Sequence, residues 1–343
     1  MSYINKRKHN KFLLIILIGI LFALTIISST LGVADISFYG SMKILSSKIP
    51  FVGKYISLEG ISNTHKLIIL NLRLPRIMLS ALVGAGLSIV GCVFQAIFKN
   101  PMADPYVLGI SSGSALGAAI AIILGVSGVT SFAFTGAILT TLLVYSIAKT
   151  GTKLPTNTLL LAGVSVGFLL SSLISLIMIF NREQVEKIIF WTMGGLNTAN
   201  WKAVFSLFPF VLIGGFIIFI FSKDLNVMLT GDETASTLGI EVDKIKKLLL
   251  TISSIIIAAC VSMSGIIGFV GLIIPHMIRL LVGPDHRVLL PFTALGGGVF
   301  MIISDTLART LVPPAEIPVG AITSIFGAPY FIYLLIRNKK KVM

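Results

Sequence analysis

The chain has 343 residues, of which 55% are hydrophobic and only 12% charged, and its mean hydropathy is +1.00. Soluble domains carry about 25% charged residues, so this composition excludes an ordinary soluble enzyme or binding module and makes lipid the main solvent. The 27 Lys and Arg exceed the 13 Asp and Glu by 14; in a membrane chain such an excess is first a matter of topology and needs no nucleic-acid partner. Cys92 and Cys260 both lie in apolar runs, which suits structural thiols better than a disulfide framework or a Cys-based zinc site.

A membrane-crossing helix takes about 20 mainly apolar residues, and ten stretches qualify: 12–33, 72–98, 106–125, 129–148, 156–180, 202–222, 247–263, 265–282, 288–308 and 318–336. The connections are short, so residues 1–343 read as one all-α polytopic membrane domain with no room for a soluble catalytic domain. Lys6, Arg7 and Lys8 before the first span and Gly32 and Ala34 after it resemble a signal peptide, but the apolar run is too long for one. With the N-terminus in the cytoplasm, 17 of the 27 basic residues fall inside and 10 outside. That bias predicts ten crossings with both termini cytoplasmic.

Helices in lipid associate through small residues that let backbones approach. Gly109, Gly113 and Gly117 share a face of the third span, Gly163, Gly167, Ser171 and Ser175 a face of the fifth, and Gly296, Gly297 and Gly298 adjoin in the ninth. Packing is the simpler reading of each and pathway lining the second. Among the span cores only the ninth holds an acid, Asp305, with Arg309 four residues on as its expected partner. An ion-coupled secondary transporter needs more intramembrane carboxylates than this, so the energy source is expected outside the chain.

Between Lys223 and Lys247, Thr230, Gly231, Asp232 and Glu233 fit a capping box and Gly239 a helix stop. The expected helix of about eight residues exposes Thr234, Ser236 and Leu238, as an interfacial element or a docking knob. Arg73 and Arg76 share one face at the outer end of the second span, and Arg309 ends the ninth. Guanidinium groups there suit either a partner's carboxylates or lipid headgroups. Asn100, Pro101, Asp104 and Pro105 predict a cytoplasmic turn in which Asp104 caps the next helix. Pro275 should bend the eighth span, and His276 beside it lacks a second ligand for a metal. Asp285, His286 and Arg287 predict a capped helix start.

From Arg73 to Gly117, RLPRIMLSALVGAGLSIVGCVFQAIFKNPMADPYVLGISSGSALG closely resembles the permease subunits of binding-protein-dependent ABC importers for iron chelates (siderophores, haem) and vitamin B12. The resemblance continues through FWTMGGLNTANW (190–201), Leu238 and Gly239, GIIGFVGLIIPHMIRLLVGPDHR (265–287) and SDTLARTLVPPAEIPVGAITSIFGAP (304–329). It implies the type II importer fold in a bacterial or archaeal cytoplasmic membrane and a homodimer that carries an iron chelate, or vitamin B12. It also implies two separate ATP-binding subunits that hold ATP and Mg, in keeping with the lack of a GxxxxGK[ST] loop here, so the chain itself is not an enzyme and holds no cofactor. The family's ATPase docks on a coupling helix that maps to Thr230, Gly231, Asp232, Glu233, Thr234, Ala235, Ser236, Leu238 and Gly239. An extracytoplasmic binding protein would pair its acids with Arg73, Arg76 and Arg309. By the same resemblance the pathway runs between the fifth and tenth spans and their dimer mates, with Gly163, Ser165 and Gly167 as candidate lining.

Overall fold

The computed structural model of the chain describes residues 3–34, 36–51, 53–151 and 153–339. Lys340 and Lys341, counted above among the cytoplasmic charges, lie outside the described residues. In chain order the helices are α1 (Tyr3–Thr30), α2 (Phe38–Ser46), α3 (Asn63–Leu67), α4 (Leu74–Ile97), α5 (Ile110–Ile123), α6 (Val129–Ala148), α7 (Thr156–Phe180), α8 (Val185–Thr192), α9 (Trp201–Ile220), α10 (Ser222–Met228), α11 (Asp232–Thr237), α12 (Val242–Ser264), α13 (Val270–Val282), α14 (His286–Thr310) and α15 (Val319–Lys339). Every stretch chosen by hydropathy falls on one of them. Among the described residues seven helices are long and apolar enough to cross a membrane, α4 being continuous with α3 through a π-helical turn at Ile68–Arg73; α5, α13 and the apolar part of α15 are shorter.

Two of the short helices are corrections to the expected spans, and both have a backbone cause. α5 begins at Ile110 rather than 106, because Pro105 opens a 3-10 turn, Pro105–Leu108, that Gly109 ends at φ 71. The cap expected from Asp104 is present but serves this turn, its carboxylate accepting from the Tyr106 N–H at 2.7 Å. α13 begins at Val270 rather than 265, because Gly265 and Phe269 take left-handed φ values of 65 and 68. Its 13 residues span about 20 Å, against roughly 30 Å of hydrocarbon.

The two irregular segments meet inside the protein. Tyr106 Oη donates to the Ile267 carbonyl at 3.0 Å and accepts from the Ile267 N–H at 3.3 Å, while the Pro105 ring packs on Gly271. Non-helical backbone within a membrane protein is tolerated where protein covers it and satisfies its polar groups. One tyrosine does both here.

α4 is the hub of the bundle, packed against α9, α12, α13 and α14 and buried along most of its length. Glycine makes this possible. A Cβ on Gly84 would sit 2.1 Å from the Gly297 carbonyl oxygen, and one on Gly91 only 1.8 Å from that of Gly271. α5 and α6 meet in the same way through Gly113, Gly117 and Gly136, which realises the packing reading of that glycine face. Cys92 and Cys260 are fully buried free thiols.

Candidate functional site

At one end of the bundle, here named the arginine end, α1 stops at Thr30 and leaves its last carbonyls without helical donors. Two arginines from other helices supply them. Arg73 Nη1 donates to Ser29 O at 2.7 Å and Thr30 O at 2.9 Å, and its Nη2 to Ala34 O at 2.8 Å. Arg309 donates to the carbonyls of Ser28 and Leu31 and to Ser28 Oγ. Cations are favoured at a helix C-terminus, where the peptide dipoles leave partial negative charge. Both side chains are buried, each residue 8% exposed.

The expected Asp305–Arg309 pair is present as a long i,i+4 contact, but a closer partner takes the acid. Arg309 Nε stands 3.8 Å from Asp305, whereas Arg76 Nε reaches both Asp305 oxygens at 2.9 and 3.0 Å. The same Arg76 grips Glu316 through Nη1 at 2.9 and 3.0 Å. Asp305 is buried and Glu316 is substantially exposed. The three arginines expected to form an open landing site therefore divide into two that fasten α1 and one that bridges α14 to the loop ahead of α15.

Arg76 and Glu316 also line a cavity of about 990 Å3 at this end, together with Lys187, Lys202, Phe190 and Trp191. Three irregular backbone segments meet beside it. Gly195 N–H donates to Ser264 O at 2.8 Å and Val319 N–H to Gly194 O at 2.9 Å. A Cβ on Gly194 would lie 2.4 Å from Ile266 O, on Gly265 2.2 Å from Trp191 O, and on Gly320 2.3 Å from Met193 O. Only glycine lets the α8–α9 loop, the start of the unwound segment and the first turn of α15 touch along their backbones. Sequence reasoning quoted these three glycines inside its motifs without selecting them; the signal was a glycine in each of FWTMGGLN, GIIGFVG and PVGAI.

The predicted pathway residues on α7 do not share one environment. Gly163 is buried, with its Cβ position 2.3 Å from Val107 O, so it seats the 3-10 turn, and Gly167 packs against Gly109 and Ser112. Ser165 is exposed on a face that also carries Leu161, Val164, Phe168 and Leu169. Of the three, Ser165 alone points outward. His276 sets its ring against Tyr330 at 6.5 Å between centroids.

The opposite end carries the segment between α9 and α12. The expected capping box does not form: Thr230 Oγ1 donates back to Val227 O at 2.8 Å, closing the last turn of α10, and Gly231 at φ 128 occupies the N-cap of α11. α11 is accordingly six residues long, with Gly239 at φ 85 beyond its end. Ala235 is buried, Thr234 and Ser236 are exposed, and Leu238 is 67% exposed. Glu233 faces solvent, while Asp232, still half-exposed, is held by two lysines. Its carboxylate accepts from Lys99 Nζ at 2.9 Å and is also paired with Lys246. Partial burial opposes the charge on Asp232, but the lysine hydrogen bonds outweigh it and hold the carboxyl below its ordinary range.

A second mount lies one helix earlier. Asn226 Nδ2 donates to Asp285 Oδ1 at 2.7 Å, and Asn226 Oδ1 accepts from the His286 N–H at 2.9 Å. Asp285 caps α14 as its position predicts, accepting from the Arg287 N–H at 3.0 Å. The Arg287 hydrogen bonds hold its carboxyl down at about 2.

Comparison with known proteins agrees with this architecture. The model of the FecCD transport family matches residues 6–337. The cobalamin import system permease protein of Halobacterium salinarum is 47% identical over 279 residues, 80% of this chain and 75% of that protein. The Fe(3+)-citrate import system permease protein YfmD of Bacillus subtilis is 37% identical across 97% of both chains. A solved inward-facing conformation of a metal-chelate type ABC transporter superposes with a TM-score of 0.82 at 34% identity, covering 95% of this chain and 99% of that one. An all-helical bundle with this match over nearly its whole length belongs to the FecCD transport family of ABC importer permeases.

Proposed function

We propose that two copies of this chain form the membrane passage of an ATP-driven importer for an iron chelate, a siderophore complex or haem, in a bacterial or archaeal cytoplasmic membrane. In this reading the chain crosses ten times with both termini inside. The arginine end faces the extracytoplasmic binding protein, and α11 faces two ATP-binding subunits that hold ATP and Mg. The observation that carries the reading is the position of an exposed, ion-paired six-residue helix at the end opposite a cavity of about 990 Å3. Cargo entry and power input are then separated across the bundle. The cavity volume is at the upper end of what ligand sites offer, about 300–1,000 Å3, and suits a wrapped chelate better than a bare ion. Vitamin B12 is the second reading, favoured by the identity to the Halobacterium salinarum permease.

The test is uptake into liposomes holding this chain with its ATPase subunits, offered binding protein loaded with a radiolabelled ferric chelate or with cobalamin. Accumulation of one cargo that depends on ATP is expected. Uptake that follows an imposed proton or sodium gradient without ATP would make the chain a secondary transporter instead.

Docking of the binding protein at Arg73, Arg76 and Arg309 belongs to the same proposal, with Arg76 as the member whose partner Glu316 is open to exchange. A docking carboxylate would take the place of Glu316. Glu316→Gln is therefore expected to tighten binding-protein affinity by about two- to fivefold, the worth of an exposed ion pair, measured by surface plasmon resonance on nanodisc-held permease. Unchanged or weaker affinity would assign the pair a purely structural role.

A further inference from the structure

The turn that ends α4 breaks a local rule. Lys99 takes φ 49 just past the helix, and the Asn100 N–H closes the turn onto Gln95 O at 3.1 Å. That left-handed position is ordinarily glycine's, since a Cβ is disfavoured there. A residue that departs from local preference without local gain calls for a reason elsewhere, and the Lys99 side chain supplies one in its 2.9 Å bond to Asp232 on α11. The other oxygen of the same carboxylate holds Lys246, whose side chain is 8% exposed and which lies on the first turns of α12. A buried ammonium is tolerated where it is paired, and Asp232 is the acid paired with it. One carboxylate thus joins three elements: the end of α4, the start of α12 and the short exposed helix α11.

We propose that Asp232, clasped by Lys99 and Lys246, is the positioning residue that makes α11 move as one body with the ends of α4 and α12. Displacement of α11 then passes directly to the hub helix and from there, through the glycine contacts, to α13 and α14. The proposal rests on the reading that an ATPase subunit docks on α11, and it adds the route by which the motion enters the bundle. Exposed ion pairs are worth little as stabilisers; this one serves geometry, because a lysine from the turn after α4 and one from α12 fix both oxygens of the carboxylate.

Lys99→Gly separates this role from stability. Glycine is better suited to the left-handed turn, so a merely structural role for Lys99 predicts a thermal midpoint that stays or rises and transport that is unaltered. The clasp predicts the same midpoint, unchanged affinity for the ATPase subunits and cargo transported per ATP reduced about fivefold, the lower end of ordinary coupling between sites. Asp232→Asn should lower the same ratio, and Asp232→Glu should restore part of it. A spin label at exposed Glu233, attached through Glu233→Cys, should become more mobile in Lys99→Gly. That readout needs no cargo, so it tests the clasp even if the wild-type complex imports neither chelate nor cobalamin. Wild-type transport per ATP in Lys99→Gly, or unaltered label mobility, would overturn the inference.

Discussion

Replacing Gly91 with alanine is expected to abolish the folded permease. The added Cβ would lie 1.8 Å from the Gly271 carbonyl oxygen and 2.5 Å from its carbon, and both are backbone atoms of a helix that cannot turn aside like a side chain. Pro275, four residues after Gly271 on α13, has no N–H to give that carbonyl. The oxygen is therefore turned toward α4, where the Gly91 Cα–H is its near neighbour, a weak contact of a kind recurrent at helix crossings. Overpacking a core costs typically about 1–3 kcal/mol when side chains can shift; here α4 and α13 would have to separate along their length. Gln95, one turn further on, would then lose its bonds to Leu272 O and Arg279. Size-exclusion chromatography and thermal unfolding in detergent would read the loss directly. Gly19→Ala on α1 is the control, since nothing lies within 4 Å of that Cβ, and it should be neutral or slightly stabilising because alanine is the better helix former. A Gly91→Ala protein that melts with the wild type would mean that α4 and α13 do not meet here.

The helices were readable from hydropathy because lipid imposes one demand, apolar side chains over about 20 residues, and every chosen stretch holds a helix, two of them only in part. Where the chain leaves the helix inside the bundle, hydropathy has no vocabulary. Ile266, Ile267 and Phe269 are as apolar as any helical residue, and only the positive φ of Gly265 and Phe269 reveals that the segment is extended and held by Tyr106. Charge pairing was only half legible for a related reason. An i,i+4 rule sees Arg309 beside Asp305, but the partner that takes both oxygens, Arg76, is 229 residues away in sequence. Arg309 is drawn off by the carbonyls at the end of α1, which no local pattern announces. The capping box around Thr230 was a fair local pattern overruled by its neighbour: α10 ends immediately before it and offers Val227 O to the hydroxyl. Resemblance singled out the segment from Thr230 to Gly239; its internal wiring, with Asp232 held by Lys99 and Lys246 and Leu238 exposed, came only from the fold.

Asp305→Asn is expected to destabilise the permease more than any other loss of a single charge at the arginine end. Asp305 is 1% exposed and stands between two cations, Arg76 at 2.9 Å and Arg309 at 3.8 Å. Removing one partner of a buried ion pair typically costs about 3–5 kcal/mol, because the charge left behind is neither solvated nor neutralised. Two arginines would be left facing each other across an amide here. Glu316 can still hold one edge of Arg76, so the lower half of that range is the expectation, seen as a depressed thermal midpoint with α1 released first. The order follows from the bonding: Arg309 fixes Ser28 on α1 and Leu31 just past its end and would be the group pushed by the unneutralised Arg76. Hydrogen exchange at the C-terminal turn of α1 should therefore quicken in Asp305→Asn before exchange in α4 or α14 changes. Glu316→Gln, which removes only the exposed half of the Arg76 clamp, should leave both the midpoint and that exchange within error of the wild type. Equal effects of the two substitutions would place the stabilising charge at the surface and not at Asp305.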